Sequence, residues 1–167
     1  DFHKSLFSLG ADIPFCFCRK SAIVTGKGEN ILKIENNYEN FFVLLVNPMI
    51  EVSTKKIFEK LTITTRKDFT IFDEKFLSST QIVDFLNSRS NDLEKPAILQ
   101  CEEIKNILDV FKNETNSLLS RMTGSGSTCF ALFKNKKDLG NAERIFRNKF
   151  NNFWVKKTKI VNSFDTL

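Results

Sequence analysis

The sequence predicts an α+β domain whose helices pack on one face of a mainly antiparallel sheet. Three observations predict it. Residues 41–46 (Phe-Phe-Val-Leu-Leu-Val) are apolar without alternation, as in a strand covered on both faces. Ala97, Cys101, Ile104, Leu108 and Phe111 recur at steps of four, three, four and three, the spacing of an amphipathic helix. A second apolar run, Cys129 to Phe133, follows a stretch rich in glycine and hydroxyl residues and reads as another strand.

In chain order, Phe2, Leu6 and Leu9 mark the end of a helix that Gly10 closes. Pro14 forces extended geometry on Ile13. Residues 15–18 (Phe-Cys-Phe-Cys) and 22–25 (Ala-Ile-Val-Thr) are expected as two strands, and 30–34 as a third after the turn Gly26-Lys27-Gly28-Glu29. Asn47-Pro48 stops the strand at 41–46. Ser53 is the expected N-cap of a helix carrying Ile57, Phe58 and Leu61. Residues 62–77 are polar and irregular, which predicts a loop or an insert. Ser79 is expected to cap a short helix through Ile82, Val83 and Leu86. Asn91-Asp92-Leu93-Glu94 has the form of a capping box before the helix of 97–111, with Pro96 in its first turn. Asp138 is expected to cap a helix bearing Ala142, Ile145, Phe146 and Phe150, and residues 153–161 supply a final strand. The order of these elements from Phe41 onward suggests an α+β domain with helices packed on one sheet face.

The composition excludes several functions. With 41% hydrophobic and 27% charged residues in 167, the chain reads as a soluble globular protein with length for a proper core. The apolar run at 41–46 falls far short of the roughly 20 residues of a membrane helix. The net charge of +5 suits anionic ligands, but the basic residues are scattered among acids, so no nucleic-acid partner is expected. One histidine and four cysteines without paired metal spacing argue against a zinc site. The cysteines read as buried, reduced thiols of a cytoplasmic protein, and the eighteen phenylalanines mainly as core.

Two stretches carry candidate chemistry. In Arg121-Met122-Thr123-Gly124-Ser125-Gly126-Ser127, glycines alternate with hydroxyl residues, so successive amides can line a concavity for an anion, with Thr123, Ser125 and Ser127 adding donors. The alternative is a plain glycine turn feeding a strand. No lysine follows Gly126 and the loop leads into a strand, so it is not a Walker-type loop. Asp12, just past a helix end and before Ile13-Pro14, is either a turn aspartate bonding nearby amides or a carboxylate held rigidly as a base.

Five stretches in order resemble one family. They are Gly10-Ala11-Asp12-Ile13-Pro14-Phe15, Gly26-x-Gly28-Glu29, Asn47-Pro48 with Val52-Ser53-Thr54-x-x-Ile57-Phe58, Asn91-Asp92-Leu93-Glu94, and Arg121 through Gly126. Together they resemble the 4-diphosphocytidyl-2-C-methyl-D-erythritol kinases of the galactokinase, homoserine kinase, mevalonate kinase and phosphomevalonate kinase superfamily. The resemblance implies ATP with Mg²⁺, a cytidine-diphosphate-linked sugar-alcohol substrate and phosphorylation of its 2-hydroxyl in isoprenoid precursor synthesis. It implies Asp12 as general base, Phe58 packing on the cytosine with Thr54 one helical turn before it, and Thr123, Gly124, Ser125, Gly126 and Ser127 facing phosphate across from Asp12. Phe58 is otherwise ordinary core.

No stretch here matches the family's ATP-phosphate loop, its substrate-facing Lys or its Tyr-His pair. The expectation is therefore a fragment, inactive alone and lacking the N-terminal half of the same protein. Residues 1–35 would be the remnant of the nucleotide-binding domain and 36–167 the ferredoxin-like substrate-binding domain. The alternatives are another small-molecule kinase of the superfamily, or a non-catalytic ferredoxin-like binding module.

Overall fold

The computed structural model describes residues 2–36, 41–61, 75–76 and 78–160. The expected loop at 62–77 lies mostly outside them, as does residue 161 of the final strand. The chain divides into two compact units, residues 1–39 with 70–82 and 161–167, and residues 40–69 with 83–160.

In the first unit, α1 (Phe2–Leu9) ends where the Gly10 amide donates to Phe7 O at 3.1 Å. The expected strand at 15–18 is instead part of a helix, α2 (Ile13–Cys18). Pro14 stands in its first turn, where a fixed φ favours the helix and a missing N–H costs nothing, and this outweighs the strand-like Phe/Cys alternation. Cys16 and Cys18 are thus about 200° apart around an axis and do not share a face. Cys16 is exposed and Cys18 half-buried; only Cys101 and Cys129 are the buried thiols expected. The antiparallel hairpin of β1 (Ala22–Thr25) and β2 (Asn30–Lys33) follows, closed at Thr25↔Asn30. Two residue pairs, β3 (Glu35–Asn36) and β5 (Lys75–Phe76), run parallel.

The second unit is a four-stranded antiparallel sheet built from β4 (Phe42–Asn47), β6 (Leu119–Met122), β7 (Cys129–Phe133) and β8 (Trp154–Lys159). Their order is β6-β7-β4-β8. The connecting helices are α3 (Thr54–Glu59), α4 (Ser79–Asn87), in which the unit boundary falls, α5 (Glu94–Ile98), α6 (Glu103–Glu114) and α7 (Lys136–Lys149). One strand, then helices, a hairpin, a helix and a last strand beside the first make the ferredoxin-like arrangement. The sequence pattern did not show β6, a four-residue edge strand with Leu119 and Met122 buried and the residues between them half-buried. The glycine stretch is therefore the connection of a hairpin, β6 to β7.

The helix expected over 97–111 is two helices. Leu99 is exposed and residues 99–102 turn the chain, yet Ala97, Cys101, Ile104 and Phe111 still share one buried side. Periodicity reports the buried side and is blind to a turn that preserves it. Two caps sit elsewhere than expected. Ser78, not Ser79, accepts the Gln81 amide at 3.2 Å. Asn135, not Asp138, caps α7: its Oδ1 accepts the Asp138 amide at 2.9 Å while the Asp138 carboxylate accepts from Asn135 Nδ2 and Asn116 Nδ2. These two bonds hold the Asp138 carboxyl below its ordinary range. Ser53 caps α3 as expected, accepting the Lys56 amide at 3.4 Å.

The core lies between the sheet and the paired helices α6 and α7. Leu44, Val46, Cys129, Ala131, Phe133 and Val155 on the strands meet Ile104, Ile107, Phe111, Ala142 and Phe146 on the helices. On the edge strand, Lys157 Nζ reaches Glu143 of α7 at 2.6 Å. That bond, with Arg147 in support, holds the Glu143 carboxyl below the usual range.

Arg121 alternates with the core residue Met122 and so points to the opposite face of β6. There its guanidinium donates to Leu86 O and Arg89 O, both at 2.7 Å, at the C-terminal end of α4. The carbonyls at a helix end carry partial negative charge, so a cation stabilises them. Arg121→Met keeps the stem but removes both bonds, leaving Leu86 O with the Arg89 amide alone. It is expected to cost about 1–3 kcal/mol in urea unfolding.

Candidate functional site

Asp12 occupies the N-cap position of α2 but makes no capping hydrogen bond, and its backbone is helical rather than extended (φ −86°, ψ −12°). The side chain is exposed, and among the described residues the carboxylate has no partner. Its backbone is well tied: Asp12 O accepts the Cys16 amide at 2.9 Å, and the hairpin turn presses on the preceding residue. A Cβ at Gly28 would stand 2.5 Å from Ala11 O, so only glycine permits that approach. The Gly26-x-Gly28-Glu29 turn thus buttresses the backbone next to a carboxylate left free at its tip.

In the second unit, the stretch from Thr123 to Thr128 closes the β6–β7 hairpin. The Thr123 amide donates to Thr128 O at 2.9 Å, and the Gly126 amide to Thr123 O at 3.0 Å. Three segments grip this loop. From the end of β4, Asn47 Nδ2 donates to Thr128 Oγ1 at 2.8 Å. Below it, Ser127, 6% exposed, donates its hydroxyl to Ile50 O at 2.6 Å. From the head of α3, Thr54 Oγ1 meets Ser125 Oγ at 2.8 Å.

Thr54 and Ser125, singled out separately in the sequence, are therefore in direct contact. Phe58 stands four residues after Thr54 on the same side of α3 and is 57% exposed. Its neighbour Ile57, fully buried, takes the core position, so Phe58 is not core. Ser127 is occupied as a pin under the loop. Gly126 stands at φ +92°, a backbone conformation that favours glycine, and a Cβ there would lie 2.7 Å from Met122 Sδ; at Gly124 the space is open. The thiol of Cys129 beneath the loop is pushed up to about 12 by burial, with Glu94 adding to it. It stays neutral, a filler rather than a nucleophile.

Sequence reasoning missed the role of Asn91. It is not the helix cap of a capping box, because α5 starts at Glu94 with Leu93 at the cap. Asn91 Oδ1 accepts the Leu93 amide at 3.0 Å, and Nδ2 donates to Met122 O at 3.0 Å and Gly124 O at 2.8 Å. Glu94 turns its carboxylate to the Met122 amide at 3.4 Å rather than back to Asn91. An Asn three before a Glu signals a local box; nothing in the spacing reveals that both partners lie about thirty residues away on β6.

Residues 75–152 match the family described as GHMP kinases C terminal. The chain is 31% identical over 160 residues to a protein of Anaplasma phagocytophilum named 4-diphosphocytidyl-2-C-methyl-D-erythritol kinase, a match covering 95% of this chain and 53% of that one. A protein of the same name from Anaplasma marginale (strain Florida) is 32% identical over 155 residues, covering 92% and 53%. The crystal structure of a 4-(cytidine 5'-diphospho)-2C-methyl-D-erythritol kinase shares the fold with a TM-score of 0.66 at 20% identity, over 94% of this chain and 56% of that one. The chain spans about half the length of the curated relatives it matches. Similarity along nine-tenths of the chain to about half of each of these relatives, a shared fold and the matched family model lead to one assignment: residues 75–152 form a domain of the family GHMP kinases C terminal.

Proposed function

We propose that the protein to which this chain belongs transfers the γ-phosphoryl group of ATP to the 2-hydroxyl of 4-diphosphocytidyl-2-C-methyl-D-erythritol, with Asp12 as general base. The observation that carries the reading is the exposed Asp12 carboxylate, partnerless among the described residues and fixed at the backbone by α2 and Gly28. Relatives over 90% of the chain bear the name of that kinase, which supports the choice of substrate.

Phosphoryl transfer needs little covalent help from a protein; positioning and charge stabilisation do most of the work. Asp12 would accept the hydroxyl proton as the O–P bond forms and the bond to ADP breaks. The loop from Thr123 to Ser127 would hold the substrate's diphosphate by backbone donors, with Thr54 beside it. The exposed ring of Phe58 would lie against the cytosine. Among the described residues no three acids, histidines or cysteines cluster to hold a metal. Mg²⁺ bound with the nucleotide would offset the charge of its phosphates. The 167-residue chain by itself is expected to be inactive.

The test is a substrate panel with the native-length protein, ATP and Mg²⁺. ADP release is expected with the cytidine-diphosphate substrate and not with homoserine or mevalonate. Preference for either of those would overturn the substrate assignment.

A further inference from the structure

The glycine loop has a feature that its own residues do not explain: two neighbouring amides left over by the hydrogen bonding around them. The Thr123–Gly124 and Gly124–Ser125 peptides are trans, so in each the N–H points opposite to the C=O. Thr123 O is taken by the Gly126 amide, which directs the Gly124 N–H out of the turn. Gly124 O is taken by Asn91 Nδ2 at 2.8 Å, which directs the Ser125 N–H away from Asn91. Gly124 itself lies at φ +53°, a left-handed conformation that lets consecutive N–H groups converge. Among the described residues neither amide has a partner, and the space over Gly124 is open.

We propose that Asn91 is a positioning residue for anion binding. Its carboxamide sets the Gly124–Ser125 peptide so that the Gly124 and Ser125 amides point together at the diphosphate of the substrate. The proposal rests on the loop's phosphate role given above and adds the residue that sets it. One side chain does two jobs. Nδ2 spans Met122 O on the strand and Gly124 O in the loop, locking the loop to β6. Oδ1 holds the Leu93 amide, which fixes the carboxamide's own orientation. Without this clamp the Gly124–Ser125 peptide is free to flip, because glycine tolerates both orientations. A flip would present a carbonyl to the diphosphate in place of an amide.

Two substitutions separate this role from general stability. Asn91→Ala removes the whole clamp. Asn91→Asp keeps the acceptor for Leu93 but loses the donor and sets a carboxylate against two carbonyls. Asn135→Ala, which uncaps α7 away from the loop, serves as the control for lost stability. Cytidine 5′-diphosphate binding to the native-length protein is measured by calorimetry, well below each unfolding temperature. Both Asn91 variants are expected to bind about tenfold or more weakly. The control should stay within about twofold of wild type, with a comparable loss of stability. In turnover the Asn91 variants should raise KM for the substrate and leave kcat nearly unchanged, the mark of lost ground-state binding.

Wild-type-like binding by Asn91→Asp overturns the inference while leaving the proposed function standing. Equal weakening in Asn135→Ala reduces Asn91 to a stability residue and overturns it as well. A wild-type protein that does not bind the diphosphate at all removes the loop's phosphate role, and this inference with it.

Discussion

Asp12→Asn in the native-length protein is expected to lower kcat by about a hundredfold or more, since a positioned base contributes roughly 10²–10⁴. The amide has the size of the carboxylate but cannot accept the proton that the attacking hydroxyl must lose. Among the described residues the Asp12 side chain bonds to nothing, so the exchange breaks no contact of the folded unit. The unfolding temperature should therefore stay within about a degree or two of wild type, because exposed positions without partners rarely matter to stability. Loss of activity with unchanged stability and unchanged ATP binding marks a group used only in the reaction. Turnover near the normal rate would remove Asp12 from the chemistry; a large drop in stability would return it to the role of a turn aspartate.

The second large effect is one of stability. Phe146→Ala is expected to destabilise the second unit by about 3–5 kcal/mol, the usual cost of truncating a buried aromatic ring. Phe146 is fully buried on α7 and packs against Phe111 of α6 with ring centroids 4.5 Å apart. On its other side it meets Phe150 at 5.9 Å, which in turn stacks on Phe153 at 4.5 Å. The ring thus joins the two long helices and anchors the row leading to β8. Phe146 shares its core cluster with Leu44, Ala131 and Phe133 of the sheet, so truncation leaves a cavity among fixed neighbours. Against a total of about 5–15 kcal/mol, this loss leaves the unit marginal. Urea unfolding followed at Trp154, the single tryptophan, reports it directly. A change below about 1 kcal/mol would mean that α7 is held by something other than this contact.

The contrast between these residues shows what could be read in one dimension. Phe146 was assigned to a buried helix face from the spacing of Ala142, Ile145, Phe146 and Phe150, a pattern that depends only on neighbours within two turns. The strands at 41–46 and 129–133 were equally legible, because an unbroken apolar run needs no partner to be recognised. Asp12 was noticed for its place between a helix end and a proline, although the strand expected after it is a helix. There the strand-like alternation of Phe and Cys is outweighed by Pro14 in a first turn.

An α+β fold and the apolar faces that make its core are properties of local spacing and were legible in one dimension; the five motifs carry the resemblance to the kinase family. Which polar groups are spent and which are left over depends on contacts between distant parts of the chain. Ser127 looked like a phosphate donor and is consumed by Ile50 O, while Asn91 looked like a helix cap and holds the loop from across the sheet. Hydrogen-bond partners thirty or more residues apart leave no periodic trace. Their pairing follows from strand register, which places β7 between β6 and β4 and brings α3, Asn91 and the glycine loop together.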